Sequence, residues 1–538
     1  MKKNNLIKTI ACMTLLVVLS ASCLDDLDRF PQNESTGNLV YESFEGYKGA
    51  IVKVYAAYAL SGNEGPSGKP DISGLDEGQY ADFIRMYFNH QELPTDEAHC
   101  IWQDEGIPGL NNINFSSENP FSKGLYNRCV MQIMYANEFI KNAADGTISG
   151  KGFDDSQIND IKAFRAEARF IRAFQYWVLM DIYGNPPFID ENSEFGTLPK
   201  QIKRADLFNY IESELLDLTE NNLLKEARSN EYGRADKGAA WALLARMYLN
   251  AEVYTGTAKY SESATYAEKV IQAGYSLKND YEQLFLANND VNNPEVILSI
   301  NYDGEKTRNF GGSTFLINCG SNGDYQKDYA DKLHSYGIRD NANWSGYRAR
   351  KEFSERFDTE DKRFLFVGEE ASITNPVEYK EGLATYKWRN ITLDENGNWE
   401  YGSHITYADN DFPLFRLAEM YLIYAEAVKR GGNGSPNTAL GYLNQLRERA
   451  FGGASKNFGS FNDVSLNDIL NERGFELYWE AHRRTDLIRY NMFAGSNYIW
   501  EWKGGMRNGR SVSPHYNIYP IPSADIMANP NLKQNPNY

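Results

Sequence analysis

The densest cluster of chemistry-bearing side chains is Glu472, Glu476 and Glu480, spaced i, i+4, i+8, with Arg473, Arg483, Arg484 and Asp486 among and after them. Glycoside hydrolysis needs two carboxylates roughly 5–9.5 Å apart, so this line of acids is the first catalytic candidate. A chain with 73 acidic residues supplies such pairs by chance, however. Interleaved with arginines and set beside Phe475, Tyr478 and Trp479, these acids read more simply as a structural ion-pair network. The six histidines, at 90, 99, 334, 404, 482 and 515, form no His-x-x-x-His pattern and have no cysteine pair to complete a zinc site. The glycines and lysine of 62–69 approximate a phosphate-binding loop, but Pro70 stands where Ser or Thr must hold Mg²⁺. Asp394, Asn396 and Asn398 alternate like a Ca²⁺ loop, yet Trp399 replaces the required Gly and Ile405 the final Glu, so the stretch reads as a hairpin turn. No Gly-x-Ser-x-Gly nucleophile elbow is present. The sequence therefore assigns no catalytic residue, metal ligand or cofactor, with a structural Ca²⁺ left open.

A binding reading remains. Neutral sugars present apolar faces and a rim of hydroxyls, which suit flat aromatic rings edged by amide, carboxylate or guanidinium groups. The chain has 36 Tyr, 28 Phe and 9 Trp. Helical aromatics such as Trp241, Tyr421 and Tyr424 belong to packing. Two loop tryptophans differ: Trp102 follows a polar run, and Trp344 sits in Asn341-Ala342-Asn343-Trp344-Ser345-Gly346.

The elements that must position them are mostly helical. Apolar residues recur at helical spacing over 40–60, 125–142, 158–183, 205–218, 235–251 and 258–273, with a Gly/Ser/Pro-rich loop over 61–78 between the first and the segment 80–88. Tyr183-Gly184-Asn185-Pro186-Pro187 is a strong helix stop. Trp241, Leu244, Ala245 and Tyr248 match the ridge of a tetratricopeptide (TPR) repeat with Ala in the Gly place, and a second helix pair covers 415–430 and 437–450. Such pairs bury small-residue faces by stacking on neighbours. Residues 289–410 change character: 295–300 reads as a strand, a Gly/Asn-rich stretch follows, and 386–393 and 398–404 flank a hairpin turn at 394–397. With 538 residues and no low-complexity linker, the expectation is one body over 23–538, a helical scaffold with an inserted loop and hairpin region at about 289–410.

The N-terminus supplies an address. Lys2, Lys3 and Lys8 precede an apolar run over 10–19, and Ser20-Ala21-Ser22 leads into Cys23. This is the pattern of a secretory signal over 1–22 with Cys23 as a lipidated first residue, too short to span a bilayer. The formal charge of −18, made more negative by loss of those lysines, disfavours nucleic acid and other polyanions and leaves neutral ligands open. Cys100, Cys129 and Cys319 lack metal-type spacing and read as buried free thiols.

Several segments together resemble the SusD/RagB family of outer-membrane nutrient-binding lipoproteins. They are Cys23-Leu24-Asp25-Asp26-Leu27-Asp28, the helix ending in Tyr183-Gly184, Arg416-Leu417-Ala418-Glu419-Met420-Tyr421-Leu422, Glu472-Arg473-Gly474-Phe475-Glu476-Leu477 and Tyr519-Pro520-Ile521-Pro522. The resemblance implies a mainly α fold, a right-handed α-superhelix of four TPR-like helix pairs with an irregular ligand-binding half. It also implies a non-enzymatic, surface-exposed protein anchored in the outer membrane by its lipid. Such a protein passes oligosaccharide to a TonB-dependent SusC-like barrel. Glu92-Leu93-Pro94-Thr95-Asp96-Glu97, Gly233-Arg234-Ala235-Asp236-Lys237, Arg308-Asn309-Phe310-Gly311-Gly312 and Trp500-Glu501-Trp502 are similar to the starch-binding members. Those members follow the curve of α-1,4-glucan with an arc of aromatics. Carried over by position, Trp102, Phe315 and Trp344 form the arc and Arg85 the polar arm. Three positions depart from the pattern: Cys100 where a further Trp is expected, Glu105 in the place of a sugar-contacting Asn, and Phe315 for Tyr. A surface glycoside hydrolase, or a binder of another glycan or a peptide, are the competing readings.

Overall fold

The computed structural model describes residues 37–538 except 67, 77–79, 81, 195, 339–342 and 395, so the expected signal segment and its Cys23 lie outside the described residues. Most of the helices fall where apolar periodicity put them. Phe44–Ala59, Phe83–Glu92, Pro120–Asn142, Asp155–Ile182, Arg204–Glu220, Lys237–Leu249 and Tyr260–Gln272 fill the first half, and Leu417–Lys429, Pro436–Phe451 and Leu466–Leu477 the second. From Pro120–Asn142 through Tyr260–Gln272 each of these helices packs on the next in chain order. Tyr260–Gln272 then packs directly on Leu417–Lys429, against which both later helices rest. The fold is mainly α, with stacked TPR-like helix pairs.

Local chemistry explains the boundaries. Asp154 and Gln157 form a reciprocal capping box at the start of Asp155–Ile182. That helix ends where Gly184 takes φ +75° and donates its N–H to the Leu179 carbonyl at 3.1 Å. Ser465 and Asp468 cap Leu466–Leu477 in the same way.

The inserted region leaves the helical stack unbroken because its two ends are tied together. Strand Val296–Ile300 pairs antiparallel with Phe412–Arg416, immediately before helix Leu417–Lys429. The anticipated hairpin forms between Ile391–Leu393 and Trp399–Tyr401, shorter than its hydrophobic pattern suggested. Its turn is held by Asp394, whose carboxylate accepts from the Asn396 and Asn398 amides at 2.8 and 2.7 Å, so these side chains serve a turn. The Gly-rich stretch is more helical than the sequence implied: Gly312–Gly320 is a buried helix despite a glycine at each end.

The acidic cluster is an ion-pair network, but not along one helix. Leu466–Leu477 stops before Glu480, and Trp479 and Ala481 adopt left-handed φ of 59° and 65°. The partners also come from elsewhere in the chain. Arg416 meets Glu295, Glu476 and Glu480 at 2.8, 2.6 and 2.7 Å, Arg363 meets Glu472 at 2.6 Å, and Arg449 meets Glu476 at 2.5 Å. Arg473, Arg483 and Arg484 instead pair with Asp486, Asp96 and Asp181. Burial alone would raise the Glu476 carboxyl, but Arg449, Arg416 and Arg363 override it and hold the group far below the usual carboxylate range.

Candidate functional site

The site is built where the inserted region meets the N-terminal helices. Strand Ala98–Cys100 pairs antiparallel with Tyr347–Ala349, and the ladder continues one step through the Ile101 N–H to the Gly346 carbonyl at 2.9 Å. This register brings Trp102 and Trp344 together across 242 residues of sequence, with ring centroids 6.2 Å apart and planes inclined at 55°. The Trp102 indole Nε1–H donates to the Trp344 carbonyl at 3.2 Å. The Trp344 loop is itself pinned to the end of helix Gly312–Gly320. The N–H groups of Trp344, Ser345 and Gly346 donate to the carbonyls of Asn318, Ser321 and Cys319 at 3.1, 3.0 and 2.8 Å. On the other side, buried Asn111 bonds both backbone groups of Cys100, fixing the strand end just before Trp102.

Gly346 is required by close approach. A Cβ there would stand 2.2 Å from Trp102 Cε2, so only a bare α-carbon lets the indole lie flat against this strand.

Arg85 projects from helix Phe83–Glu92 with its guanidinium carbon 4.9 Å from the Phe315 ring centroid and 5.7 Å from that of Trp344. This is cation–π packing on two faces, and it leaves Arg85 only 7% exposed. The helix is oriented by its cap: Asp82 accepts from the Arg85 and Gly312 N–H groups at 2.8 and 2.9 Å and from Asn309 Nδ2 at 2.9 Å. Burial raises the Asp82 carboxyl above its ordinary range, and these same hydrogen bonds oppose the rise.

Together these groups border a cleft of about 470 Å³, lined by Asp76, Arg85, Trp102, Asp104, Ile107, Phe121, Phe310 and Trp344. It offers half-exposed aromatic faces with a guanidinium at the back and two carboxylates on the wall, the combination that a neutral sugar demands.

Two expectations need correction. Phe315 is fully buried, on the inward face of helix Gly312–Gly320 against Phe88 and Tyr347, so it supports Arg85 and Trp344 from below and offers no face to a ligand. Phe310, five residues earlier and half-buried, is the ring that reaches the cleft. Glu105 is exposed beside the cleft but does not line it; the turn through Gly106, at φ +92°, presents Asp104 instead. Cys100 is buried at the end of its own strand, and burial pushes its thiol well up, as it does that of Cys319. Both are inert free thiols. Among the described residues, no group of His, Cys, Asp and Glu is arranged to hold a metal.

The family now follows from comparison with known proteins. Residues 362–538 match the family model described as SusD family, and residues 96–249, which include Trp102, match one described as starch-binding associating with outer membrane. The starch-binding protein SusD of Bacteroides thetaiotaomicron is 36% identical over an alignment that covers 100% of both chains. The chain belongs to the SusD family. A more distant SusD-like protein of Formosa agariphila is 24% identical and covers 98% of both chains. Among solved structures, a SusD superfamily protein from Parabacteroides distasonis superposes with a TM-score of 0.69 at 21% identity, covering 94% of this chain and 100% of that one. Surface glycan-binding protein A from Bacteroides thetaiotaomicron, solved in complex with laminarihexaose, gives 0.67 at 20%, covering 91% and 99%. The structural likenesses show the fold, while the family models and the full-length relative place the chain in a glycan-binding family associated with the outer membrane. No helix among the described residues is long and apolar enough to cross a membrane.

Proposed function

We propose that the chain is a non-enzymatic, cell-surface lipoprotein, anchored through Cys23. It captures starch-like α-1,4-glucan in the Trp102–Trp344 cleft and hands oligosaccharides to a TonB-dependent SusC-like barrel. The observation that carries this reading is the pair of indole faces inclined at 55° over one cleft with Arg85 behind them. Two platforms set at that angle cannot both lie flat on a straight, ribbon-like chain. They suit a glycan that curves, as α-1,4-glucan does. Full-length identity of 36% to a starch-binding protein favours the same ligand. The body would be a single unit from residue 23 to 538.

A curved β-1,3-glucan is the second reading. It is motivated by the same inclined rings, by the replacement of two expected site residues with Cys100 and Glu105, and by a fold relative solved with laminarihexaose. Native affinity electrophoresis separates the two: retardation by amylopectin and free migration in laminarin supports α-glucan, and the reverse replaces it. Asp76 and Asp104 both line the cleft, so the pure protein is also assayed for reducing sugar released from soluble starch. Release that an Asp104→Asn substitution abolishes makes the protein a hydrolase and overturns the non-enzymatic reading.

A further inference from the structure

The aromatic surface does not stop at the cleft. Phe310, on its wall, lies 5.5 Å from the ring of Tyr407, tilted at 54°, and Tyr407 in turn lies 5.0 Å from the imidazole of His404. Both rings belong to the loop 402–409, which leads out of the insertion, and both are half-buried and half open. A mobile loop carrying two aromatic rings would be a poor platform, because ordering it on binding costs conformational entropy. This loop is ordered in advance by groups beneath it. Fully buried Asn390 donates through Nδ2 to the His404 carbonyl at 2.8 Å and accepts from the Asp409 N–H at 3.0 Å. The Asp409 carboxylate accepts from the N–H groups of Gly304 and Ser403 and from the Ser403 hydroxyl at 2.7, 2.5 and 2.6 Å. The Ala408 N–H donates to Thr314 Oγ1 at 3.0 Å, tying the loop to the helix that also holds the Trp344 segment. Gly402 permits this packing, since a Cβ there would stand 2.3 Å from Asn390 Oδ1.

His404 carries a fixed tautomer. Its Nδ1 accepts from the N–H groups of Thr406 and Tyr407 at 2.9 and 3.2 Å, so the ring proton resides on Nε2, a donor suited to a sugar hydroxyl. The loop thus offers an aromatic face, a phenolic hydroxyl and an imidazole N–H, continuous with the cleft through Phe310.

We infer that Phe310, Tyr407 and His404 form a second subsite, which takes the part of a glycan chain that extends beyond the residues held by Trp102 and Trp344. Chains long enough to reach Tyr407 gain from it, and short ones do not. The subsite makes the protein selective for chain length. This rests on the α-glucan reading of the cleft, and the test is arranged to separate the two.

Maltotriose and maltoheptaose are titrated calorimetrically into the wild type, Tyr407→Ala, Tyr407→Phe and Trp344→Ala. The expected result is that Tyr407→Ala weakens maltoheptaose roughly 5- to 10-fold, the lower end of the range for one lost stacking partner. Maltotriose affinity stays within about twofold of wild type and Tyr407→Phe restores the long-chain affinity, as stacking on a ring requires. Trp344→Ala weakens both ligands. If Tyr407→Ala leaves both affinities at wild type, or lowers both equally, the subsite is overturned while the cleft reading stands on the Trp344 result. If Trp344→Ala keeps wild-type affinity, the cleft reading fails and the subsite falls with it. Thermal midpoints of each variant show that losses do not come from unfolding.

Discussion

Replacing Gly346 with Ala removes no ligand-facing atom, yet the geometry predicts that it weakens glycan binding. Gly346 does not occupy the left-handed region, so its backbone accepts Ala without strain. The added methyl, however, would lie 2.2 Å from Cε2, 2.4 Å from Cζ2 and 2.6 Å from Nε1 of Trp102. Carbon atoms in contact settle at about 3.5–4.0 Å, so the indole must retreat by more than ~1 Å. That movement draws Nε1 away from the Trp344 carbonyl, now 3.2 Å distant, and turns the ring off its platform. One aromatic stacking partner is worth about 1–3 kcal/mol by analogy with base stacking. A loss of about 2 kcal/mol in affinity is therefore expected, roughly thirtyfold in Kd for maltoheptaose by calorimetry. Because the effect passes through Trp102, the Gly346→Ala, Trp102→Ala double variant should bind no more weakly than Trp102→Ala alone. A folded Gly346→Ala protein with wild-type affinity, or full additivity in the double variant, would refute the placement of Trp102 in the site.

Phe310→Ala and Phe315→Ala should separate ligand from core. The first is expected to lower maltoheptaose affinity by several fold with little change in thermal midpoint. The second should cost about 3–5 kcal/mol of unfolding free energy, since Phe315 is fully buried. Arg416→Met leaves Glu295, Glu476 and Glu480 short of their shared cation. Chemical denaturation should show a loss of about 3–5 kcal/mol. Acid stability should report Asp96, which burial would raise but which Arg483 and Arg356 hold down at about 2 against an ordinary 3.8. A depressed carboxyl contributes stability that is present above the ordinary value and disappears as pH falls through the folded value. The contribution, about 2 kcal/mol at neutral pH, should vanish between pH 5 and 2. In Asp96→Asn the dependence of unfolding free energy on pH should be shallower across that window, whatever the absolute stability of the variant.

The helical scaffold was legible because its signals are local. The apolar spacing around Trp241, Leu244, Ala245 and Tyr248, and the stop at Gly184-Asn185-Pro186-Pro187, are each contained in a few residues. The candidate site was legible only in part. Trp102 and Trp344 stood out as aromatics in polar loops, but their meeting depends on strand register across 242 residues, which no local pattern encodes. Phe315 was placed in the arc by resemblance alone, and the helix that buries it was hard to read because a glycine stands at each end. Phe310 carried a signal that was available: an aromatic directly before Gly311-Gly312, where a Cβ at Gly311 would stand 2.1 Å from Asp82. The charge network was recognisable by composition, while its partners were not, since Arg363, Arg416 and Arg449 arrive from distant segments.

The central claim is that the inclined Trp102–Trp344 pair holds α-glucan. The most direct measurement is a calorimetric titration of maltoheptaose into the wild type and into Trp344→Ala. Trp344→Ala is the cleaner variant, because Trp102 bonds to its backbone carbonyl and the loop stays tied. The account predicts saturable binding by the wild type and a loss of at least about tenfold in Trp344→Ala at an unchanged thermal midpoint. A wild type that does not bind, or equal affinity in the two proteins, would contradict it.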